Sequence, residues 1–365
     1  MSDSFGKSCA EAGLIIPFAK MRGETSFASI GVLKRLLGTR KVGHTGTLDS
    51  FADGLLVAVS GKLTRLASFI EAGAKRYEAR LAFGSETDTL ELTGKVVRRA
   101  ELPTYEKVEE VMGLFVGHIQ QVPPQYSALH VAGRRASDIV RSGESVELRP
   151  REVEISEIVV KQVLFDGDED FVEVSCLGES EKRRAVKELH IEVACSKGTY
   201  IRALARDIGV SSGSAGYLKA LRRLSVGCFS LYDAFCSSCL PQFLSEEGNV
   251  FVQAPSSKSA SSRLLGEKAT IREEMSDIFT YAKTFSPSLC EALHLPVLEI
   301  KKDFVKSFMQ GKEIKETWFC DHTPYNKEEK RKDMLKQGVG FVFCEGETLG
   351  AISVQSSRYK YKFVL

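Results

Sequence analysis

Two segments of the chain repeat their apolar side chains every three or four residues, which is the spacing of one helix face. The first predicts a helix over Phe27–Leu37, with Thr25 and Ser26 as candidate N-caps and Gly38 at its C-terminal end. The second predicts a helix over residues 104–118. The two apolar stripes consist of Ile30, Leu33, Leu36 and Leu37, and of Val108, Val111, Met112 and Phe115.

Two other segments alternate between apolar and polar residues, as a strand with one buried face does. The predicted strands are Lys75–Phe83 and His190–Cys195, and a helical period follows the second from residue 201 until Gly209. The charged stretch Asp166–Lys187 predicts a long surface hairpin loop. Strands mixed with helices, without regular βαβ spacing, favour an α+β fold.

Local composition divides the chain into four parts. Residues 1–13 are small, polar and aperiodic, and predict a disordered tail. The main domain is expected over 14–245, and the serine-rich stretch 254–275 indicates a linker over 246–285. Short apolar runs between turn residues then predict a small β-rich domain over 286–365. Its expected strands are Val297–Ile300, Gly338–Cys344 and Leu349–Val354.

The overall composition excludes several classes of protein. With 43% hydrophobic and 27% charged residues in 365, the chain has the balance of a globular protein rather than a disordered one. It contains no apolar run near the ~20 residues that span a bilayer and no signal-peptide pattern, so we expect a cytoplasmic protein with reduced thiols. Cys236 and Cys239 lack the second pair of ligands that a zinc site needs.

The formal net charge of +2 conceals an uneven distribution of charge. The segments Lys20–Arg65 and Cys195–Arg223 each carry a net charge of +5, so the rest of the chain is acidic. Two basic segments indicate a local site for a polyanion such as nucleic acid. Two solvated helix faces would have the same charge, and charge alone does not separate these interpretations.

The stretch from Lys41 to Leu56 combines three glycines with small hydroxyl and carboxyl residues, and it predicts a loop with close backbone approach. Its glycines match neither a phosphate-binding loop nor a dinucleotide-binding fingerprint. Asp49 lies in the middle of this loop. An aspartate in such a loop usually caps a turn, so the residue types alone leave its role open.

This loop resembles the defining motif of the bacterial tRNA pseudouridine-55 synthases, the TruB family, whose pattern is K-V-G-H-x-G-T-L-D-P-x-A-x-G-L-L. Four more family motifs follow in the family's order, so the resemblance covers residues 14–229 and a chance match is negligible. They are Lys75–Tyr77 with Gly84–Thr89, Gln121–Leu129, Cys195–Arg202 with Asp207 and Gly209, and Leu221–Arg223 with Gly227 and Phe229.

The sequence departs from the family pattern at several positions. Ala19–Ser26 stands where the family has D-K-P-x-G-x-T-S, and Ser50 replaces the proline that follows the aspartate. His130 and Ser137 stand where a lysine and a tyrosine are expected. None of these differences removes a residue type on which the family's catalysis depends.

The resemblance implies a pseudouridine synthase fold, in which a mixed, largely antiparallel sheet is flanked by helices. It also implies a reaction in which the uracil detaches from C1′, rotates and reattaches through C5, with no metal and no cofactor. By resemblance, Asp49 is the essential carboxylate, acting covalently or as a proton acceptor at C2′. Arg202 would pair with that carboxylate, and Tyr77 would stack on the flipped base.

Four further residues match family positions that bind the substrate, namely His44, Lys20, Tyr200 and Leu221. His44 would stack in the loop position that the flipped base vacates, and Leu221 would form an apolar wall. Tyr200 would pack beneath the pocket or be an ordinary core residue, and Lys20 would touch the pocket or a phosphate. The arginine-rich stretch at about 123–151 is expected to be an arm that becomes ordered on RNA.

The partner implied by the resemblance is the T stem-loop of tRNA, bound by a monomer that uses neither a guide RNA nor a membrane. The expected reaction is the isomerisation of uridine 55 to pseudouridine. A non-catalytic tRNA-binding protein, such as a folding chaperone, is one alternative, and the guide-dependent synthase of ribonucleoprotein particles is another. The C-terminal region resembles a PUA-type RNA-binding module weakly, through residues 295–298 and 350–352.

Overall fold

Several separate stretches of the chain are described by the computed structural model, namely residues 13–70, 73–244, 278–320, 338–355 and 358–365. Most of the expected tail and the serine-rich stretch of the expected linker lie outside these residues. Within them, no helix is both long and apolar enough to cross a membrane. Residues 278–285, at the end of the expected linker, are packed: they begin with a helical turn, and Lys283 pairs with Ile15 of the first strand.

Strands are more numerous than helices in the main domain. Its strands are β1 (Ile15–Lys20), β2 (Val42–His44), β3 (Asp53–Ser60), β4 (Lys75–Phe83), β5 (Ser85–Thr87), β6 (Val96–Arg99), β7 (Gly117–Gln121), β8 (His130–Val131), β9 (Arg134–Arg135), β10 (Arg151–Phe165), β11 (Val172–Glu173), β12 (Val186–Cys195), β13 (Gly216–Val226) and β14 (Phe229–Ser230). Its helices are α1 (Ser26–Leu36), α2 (Ala67–Ile70), α3 (Tyr105–Met112), α4 (Ala136–Arg141) and α5 (Ile201–Ser211).

A ten-stranded sheet forms the centre of the main domain, in the order β1-β3-β13-β4-β12-β10-β11. Strand β2 also pairs with β3, β14 with β13, and β7 with β10. Neighbouring strands are antiparallel, except that β13 runs parallel to β3. The prediction of an α+β fold with a mixed, largely antiparallel sheet is therefore confirmed.

Strand β3 is buried on both faces, which is typical of a continuous apolar run such as Leu55–Val59. The even-numbered residues of this run pack with α1 on one face of the sheet. The odd-numbered residues pack on the other face, in a cluster that includes Phe341 and Phe343 of the C-terminal region. Strand β3 is thus held in place from both sides.

The predicted helices are present, but one of them is shorter than expected. Thr25 caps α1, because its Oγ1 accepts a hydrogen bond from the amide of Ala28 at 3.1 Å. The prediction of a helix over 104–118 is wrong beyond residue 115. Helix α3 ends at Met112, a 3-10 turn follows, and Gly117 (φ +99°) directs the chain into β7.

Gly209 was expected to end the third helix, and this expectation is wrong, since α5 continues to Ser211. The glycine is required by packing instead. A Cβ at Gly209 would lie 2.5 Å from the backbone nitrogen of Gly216, where β13 begins. The missing side chain therefore lets α5 lie directly against the central sheet.

Strands β4 and β12 carry the predicted alternation, and their apolar faces form one core with α3 and α5. The other face of β4 was expected to be exposed but is partly buried, because Arg80 donates to the Glu188 carboxylate at 2.6 Å. The stretch Asp166–Lys187 connects the antiparallel strands β10 and β12 and contains the short strand β11.

The C-terminal region forms a second sheet of four strands, which confirms the predicted small β-rich domain. The sequence-based prediction missed its last strand. The strands are β15 (Val297–Glu299), β16 (Gly340–Cys344), β17 (Glu347–Gln355) and β18 (Arg358–Val364), in that order in the sheet. In the described part of this domain, the helices are α6 (Pro287–Ala292) and α7 (Val305–Met309).

Candidate active site

A cavity of about 560 Å³ lies on the core face of the sheet, where segments far apart in sequence meet. Its floor comes from β4, β13 and the start of α5, and one wall is the loop that contains Asp49. The residues around it include Thr25, Ser26, Gly46–Ser50, Lys75, Tyr77, Tyr126–Leu129, Arg135, Ser137, Arg141, Gly198–Arg202, Leu221 and Arg223. Of the seven predicted site residues, five line this cavity and two do not.

Asp49 and Arg202 form a two-pronged ion pair at the cavity. The Nε of Arg202 lies 2.8 Å from one carboxylate oxygen of Asp49, and its Nη2 lies 3.1 Å from the other. The side chain of Arg202 is 5% exposed, whereas that of Asp49 is 36% exposed. The arginine is thus fixed inside the protein, and the carboxylate faces the open space.

The other donors of Arg202 bind two further segments. Its Nη1 donates to the carbonyl of Thr89 at 2.9 Å, and its Nη2 donates to the carbonyl of Tyr126 at 3.0 Å. Burial raises the pKa of the neighbouring Glu91, an effect that Arg202 opposes. One guanidinium therefore joins the aspartate loop to two other segments of the chain.

The loop around Asp49 is also tied to α1. The Oγ of Ser26 donates to the carbonyl of Leu48 at 3.0 Å and accepts from the amide of Leu48 at 2.9 Å. Leu48 directly precedes Asp49, so this exchange fixes the backbone beside the carboxylate. Ser26 was predicted only as a helix cap, and this second contact was not anticipated.

Arg223 supports the same loop from below and was missed by the sequence-based prediction of site residues. Its side chain is fully buried and donates to the carbonyls of Leu55, Thr47 and Gly46 at 2.7, 3.3 and 3.3 Å. Gly54 (φ +107°) permits this approach, since a Cβ there would lie 2.5 Å from the carbonyl oxygen of Arg223. The paired arginines of the last motif were the available signal.

The neighbouring arginine, Arg222, forms a buried pair with Asp53 on the other face of the sheet. Its Nε and Nη2 lie 2.6 and 3.1 Å from the two carboxylate oxygens. Asp53 and Arg222 are also register partners where β3 runs parallel to β13. This ion pair therefore stabilises the pairing of β3 with β13, the one parallel pair of strands in the central sheet, next to the Asp49 loop.

Tyr77 and Leu221 form the apolar part of the cavity floor. Tyr77 lies opposite Arg223 in the pairing of β4 with β13, and it is almost completely buried. Burial raises the pKa of Tyr77 to about 12, and Arg223 opposes the rise. Tyr77 is therefore a neutral aromatic surface at ordinary pH, as a stacking partner needs to be.

Tyr200 lies at the rim of the cavity and is held through its backbone. Its amide donates to the side-chain oxygen of Gln121 at 2.8 Å, and its carbonyl accepts from the side-chain nitrogen of Gln121 at 3.1 Å. Burial raises the pKa of the Tyr200 hydroxyl. Gln121 thereby connects the end of β7 to the residue that precedes α5.

Lys20 lies beneath the cavity wall and does not line it. Its ammonium donates to the carbonyls of Met21, Glu24 and Ala52 at 2.9, 2.8 and 2.6 Å, and the side chain is fully buried. Burial lowers the pKa of Lys20 to about 7, although nearby carboxylates oppose the change. The lysine thus links β1 to the aspartate loop from inside the protein.

His44 also lies outside the residues that line the cavity. It is the last residue of β2, paired with Ala58 of β3, and it is half-buried. The loop to Asp49 begins directly after it. In the part of the chain that the structure describes, no group of three or more histidine, cysteine, aspartate and glutamate side chains is placed to hold a metal ion.

The predicted arm forms the outer wall of the cavity. Helix α4 and the hairpin of β8 and β9 share a small cluster of buried apolar residues. Arg135, Ser137 and Arg141 of this arm line the cavity. Sequence reasoning named the arginines only as part of a basic stretch, and it named Ser137 only as a departure from the family pattern.

Comparison with known proteins shows what the whole chain resembles. The family model for the N-terminal domain of TruB family pseudouridylate synthases matches residues 34–201. A protein of Treponema denticola named tRNA pseudouridine synthase B is 41% identical over 354 residues, which are 96% of this chain and 98% of that one. A protein of the same name from Treponema pallidum is 35% identical, over 96% of each chain.

Solved structures resemble the chain in fold. A chain from an H/ACA ribonucleoprotein bound to a substrate RNA containing 2′-deoxyuridine superimposes with a TM-score of 0.58. The match covers 97% of this chain and 86% of that chain, at 17% identity. A chain of a Cbf5–Nop10–Gar1 complex gives a TM-score of 0.59, over 98% and 86%, at 18% identity. At such low identity these likenesses establish the fold alone.

Proposed function

The chain belongs to the TruB family of pseudouridylate synthases, and we therefore propose that it converts uridine 55 in the T loop of tRNA to pseudouridine. The names of its relatives support tRNA as the substrate. In this reaction the C1′–N1 bond breaks, a C1′–C5 bond forms, N1 gains a proton and C5 loses one. The reaction is redox-neutral, so the residues needed are a carboxylate near the sugar and a surface that holds the detached base.

The ion pair of Asp49 with Arg202 is the observation that carries this proposal. The guanidinium pairs with both carboxylate oxygens and fixes their orientation, while the exposed side of Asp49 remains free to approach a ribose. Either as a nucleophile at C1′ or as a base at C2′, the carboxylate must hold its charge in a partly closed site. The arrangement serves both routes equally.

Tyr77 and Leu221 are proposed to hold the uracil after it leaves the T loop. Flipping a base out of a stack costs a few kcal/mol, and stacking on an aromatic ring returns about 1–3 kcal/mol. Tyr200 would pack at the edge of the base. His44 would fill the vacated loop position, and Lys20 would act from beneath the aspartate loop, where its contacts lie.

The arm and the C-terminal domain are proposed to hold the remainder of the RNA. Arg135 and Arg141 of the arm, at about 123–151, line the cavity and would meet phosphates at its mouth. The residues over 286–365 would act as a PUA-like module on the more distant stem. We propose that the chain does this as a cytoplasmic monomer without a guide RNA.

The test is the conversion of uridine to pseudouridine in a T stem-loop transcript by the purified protein alone. Wild-type protein should modify uridine 55, and Asp49→Asn should form no detectable product while still binding the RNA. Asp168→Asn is the matched control, because Asp168 also pairs with an arginine (Arg184, 2.6 Å) but does not line the cavity. Binding by wild type without product would favour the chaperone alternative, and product only with an added guide would favour the ribonucleoprotein alternative.

A further inference from the structure

Phe27 is a large aromatic side chain that the fold leaves in solvent. It is the second residue of α1, and it is 71% exposed. The ammonium of Lys34, two turns further along the same helix, lies 4.5 Å from the centre of its ring. This cation–π contact covers one side of the ring and orients it, so that the other side is available to a partner.

The position of Phe27 is fixed relative to the cavity. The preceding residue, Ser26, exchanges two hydrogen bonds with the backbone of Leu48, and both Thr25 and Ser26 line the cavity. Leu48 in turn directly precedes Asp49. The exposed ring therefore lies one residue away from the contact that anchors the Asp49 loop, just outside the cavity mouth.

The stretch of chain that follows Phe27 carries only positive charge. From Thr25 to Leu48 the sequence contains Lys34, Arg35, Arg40 and Lys41 but not one aspartate or glutamate. Arg35, Arg40 and Lys41 are exposed, and Gly31 leaves a shallow gap between the ring and the basic end of α1, since a Cβ there would meet nothing within 4 Å. We call the outward side of residues 27–41 the α1 face.

An aromatic ring followed by basic side chains is the arrangement with which proteins bind single-stranded nucleic acid. The α1 face is also continuous with a cavity that is proposed to take a nucleotide. Its charge matches phosphates, and its ring matches an unpaired base. An apolar protein surface would match neither the charge of these basic groups nor their exposure.

We propose that the α1 face is a second RNA contact, in which Phe27 stacks on an unpaired nucleotide next to the target uridine and the basic residues behind it bind phosphates. This inference rests on the proposed function and extends it to a surface outside the cavity. Phe27 would act in binding and in the choice of sequence around the target, while the chemical step would stay with Asp49.

The test compares Phe27→Ala, Phe27→Trp and wild type, with Tyr232→Ala as the matched control, because Tyr232 is also an exposed aromatic residue (85%) but lies outside the α1 face. With tRNA transcript as substrate, Phe27→Ala should raise KM about tenfold and leave kcat within about twofold. Phe27→Trp should restore KM. Equal KM values for Phe27→Ala, Tyr232→Ala and wild type would overturn the proposal, as would a fall in kcat with no change in KM.

Two binding measurements separate this inference from the proposed function. In the Asp49→Asn background, Phe27→Ala should weaken the binding of tRNA transcript about tenfold, a result that does not depend on turnover. Lys34→Gln should reduce the slope of log Kd against log salt by about one, whereas Lys187→Gln, at an exposed lysine of β12, should not. If these substitutions leave RNA binding unchanged, the α1 contact is refuted even if wild type makes pseudouridine. If binding weakens as predicted but wild type makes no pseudouridine, only the proposed reaction is refuted.

Discussion

Arg202 is the side chain on which the contacts of the site converge. Its guanidinium makes four hydrogen bonds, two to Asp49 and one each to the carbonyls of Thr89 and Tyr126. A lysine keeps the charge, but as a single ammonium it cannot reproduce a planar, two-pronged contact together with two carbonyl contacts. The position thus tests geometry separately from charge.

We expect Arg202→Lys to lower kcat by about 100-fold or more, because small displacements of a reacting group cost about that much. Binding of the RNA should change by less than about threefold. The control is Arg206→Lys on the same helix, whose partners are Asp207 and the carbonyl of Val122. Single-turnover rates and Kd measured at one salt concentration decide the outcome, and a kcat near wild type would show that charge alone suffices.

Lys20 makes the stability of the folded protein depend on pH. Burial lowers its pKa to about 7 in the folded state, from 10.5. Between these values the unfolded chain binds the extra proton, so the free energy of unfolding rises with pH and the contribution is lost as pH falls towards 7.

One proton that only the unfolded chain binds changes the free energy of unfolding by at most ~1.4 kcal/mol per pH unit. Between pH 7.5 and 9, the free energy of unfolding of wild type should therefore rise by about 2 kcal/mol more than that of Lys20→Met. Urea unfolding at several pH values measures this difference. Lys62→Met, at an exposed lysine, controls for the loss of a surface charge. A difference between wild type and Lys20→Met that stays constant with pH would contradict the expectation.

At this scale, the motifs located five of the seven predicted residues around the cavity, but they did not reveal which residues hold backbone atoms. Asp49, Arg202 and Tyr77 stand in recognisable patterns, and the cavity brings them together. Arg223 and Ser26 act on carbonyls and amides, which every residue possesses. Both residues stand in motifs, but a motif does not say which carbonyl or amide a side chain will hold, so these contacts are found only once the fold is known.

Among the elements, α5 positions the site, since it carries Arg202 in its first turn and Gly209 at its contact with β13. Gly209→Ala would place a Cβ 2.5 Å from the backbone of Gly216 and push the helix away from the sheet. We expect it to lower the free energy of unfolding by about 1–3 kcal/mol and to reduce kcat.

The control is Gly31→Ala in α1, where a Cβ meets nothing within 4 Å. This substitution should instead raise the free energy of unfolding by about 0.5–1 kcal/mol. Thermal and urea unfolding of the two variants compare them, and equal effects would argue against close packing at Gly209.

The same glycine shows where element prediction from sequence is limited. Hydrophobic periodicity located the helices and strands because a buried stripe must repeat with the backbone. A glycine has two common uses, as a helix end and as a point of close approach. The sequence around Gly209 does not show which of these two uses applies. The contact with Gly216, the first residue of β13, shows that Gly209 is a point of close approach.

Across the whole molecule, the two domains share part of one core. Val297, Phe341 and Phe343 of the C-terminal domain pack in the same cluster as Ile15 and Leu55 of the main sheet. The continuous apolar run of β3 indicated burial on both faces, but nothing in it identified which part of the chain would cover each face. The boundary expected from composition therefore separates segments that are joined in their packing.

We expect the two domains to unfold together. Trp318 is the single tryptophan of the chain and is buried in the C-terminal domain, so its fluorescence reports on that domain. The midpoint of urea unfolding followed by Trp318 fluorescence should coincide with the midpoint followed by far-ultraviolet circular dichroism, a signal that comes mostly from the larger domain. Phe341→Ala should shift both midpoints together, by about 3–5 kcal/mol in free energy, and Phe27→Ala on the surface should shift neither. An earlier fluorescence transition would show that the shared cluster does not couple the domains.

The support of the Asp49 loop by Arg223 also has a consequence for biosynthesis. Leu55 and Arg223 are 168 residues apart, which corresponds to roughly 10–30 s of translation at 5–20 residues per second. Throughout that interval the loop has left the ribosome without the arginine that holds its carbonyls. A nascent chain stalled before β13 therefore exposes the Asp49 loop without an assembled site. The site can be completed only when synthesis is near the end of the main domain.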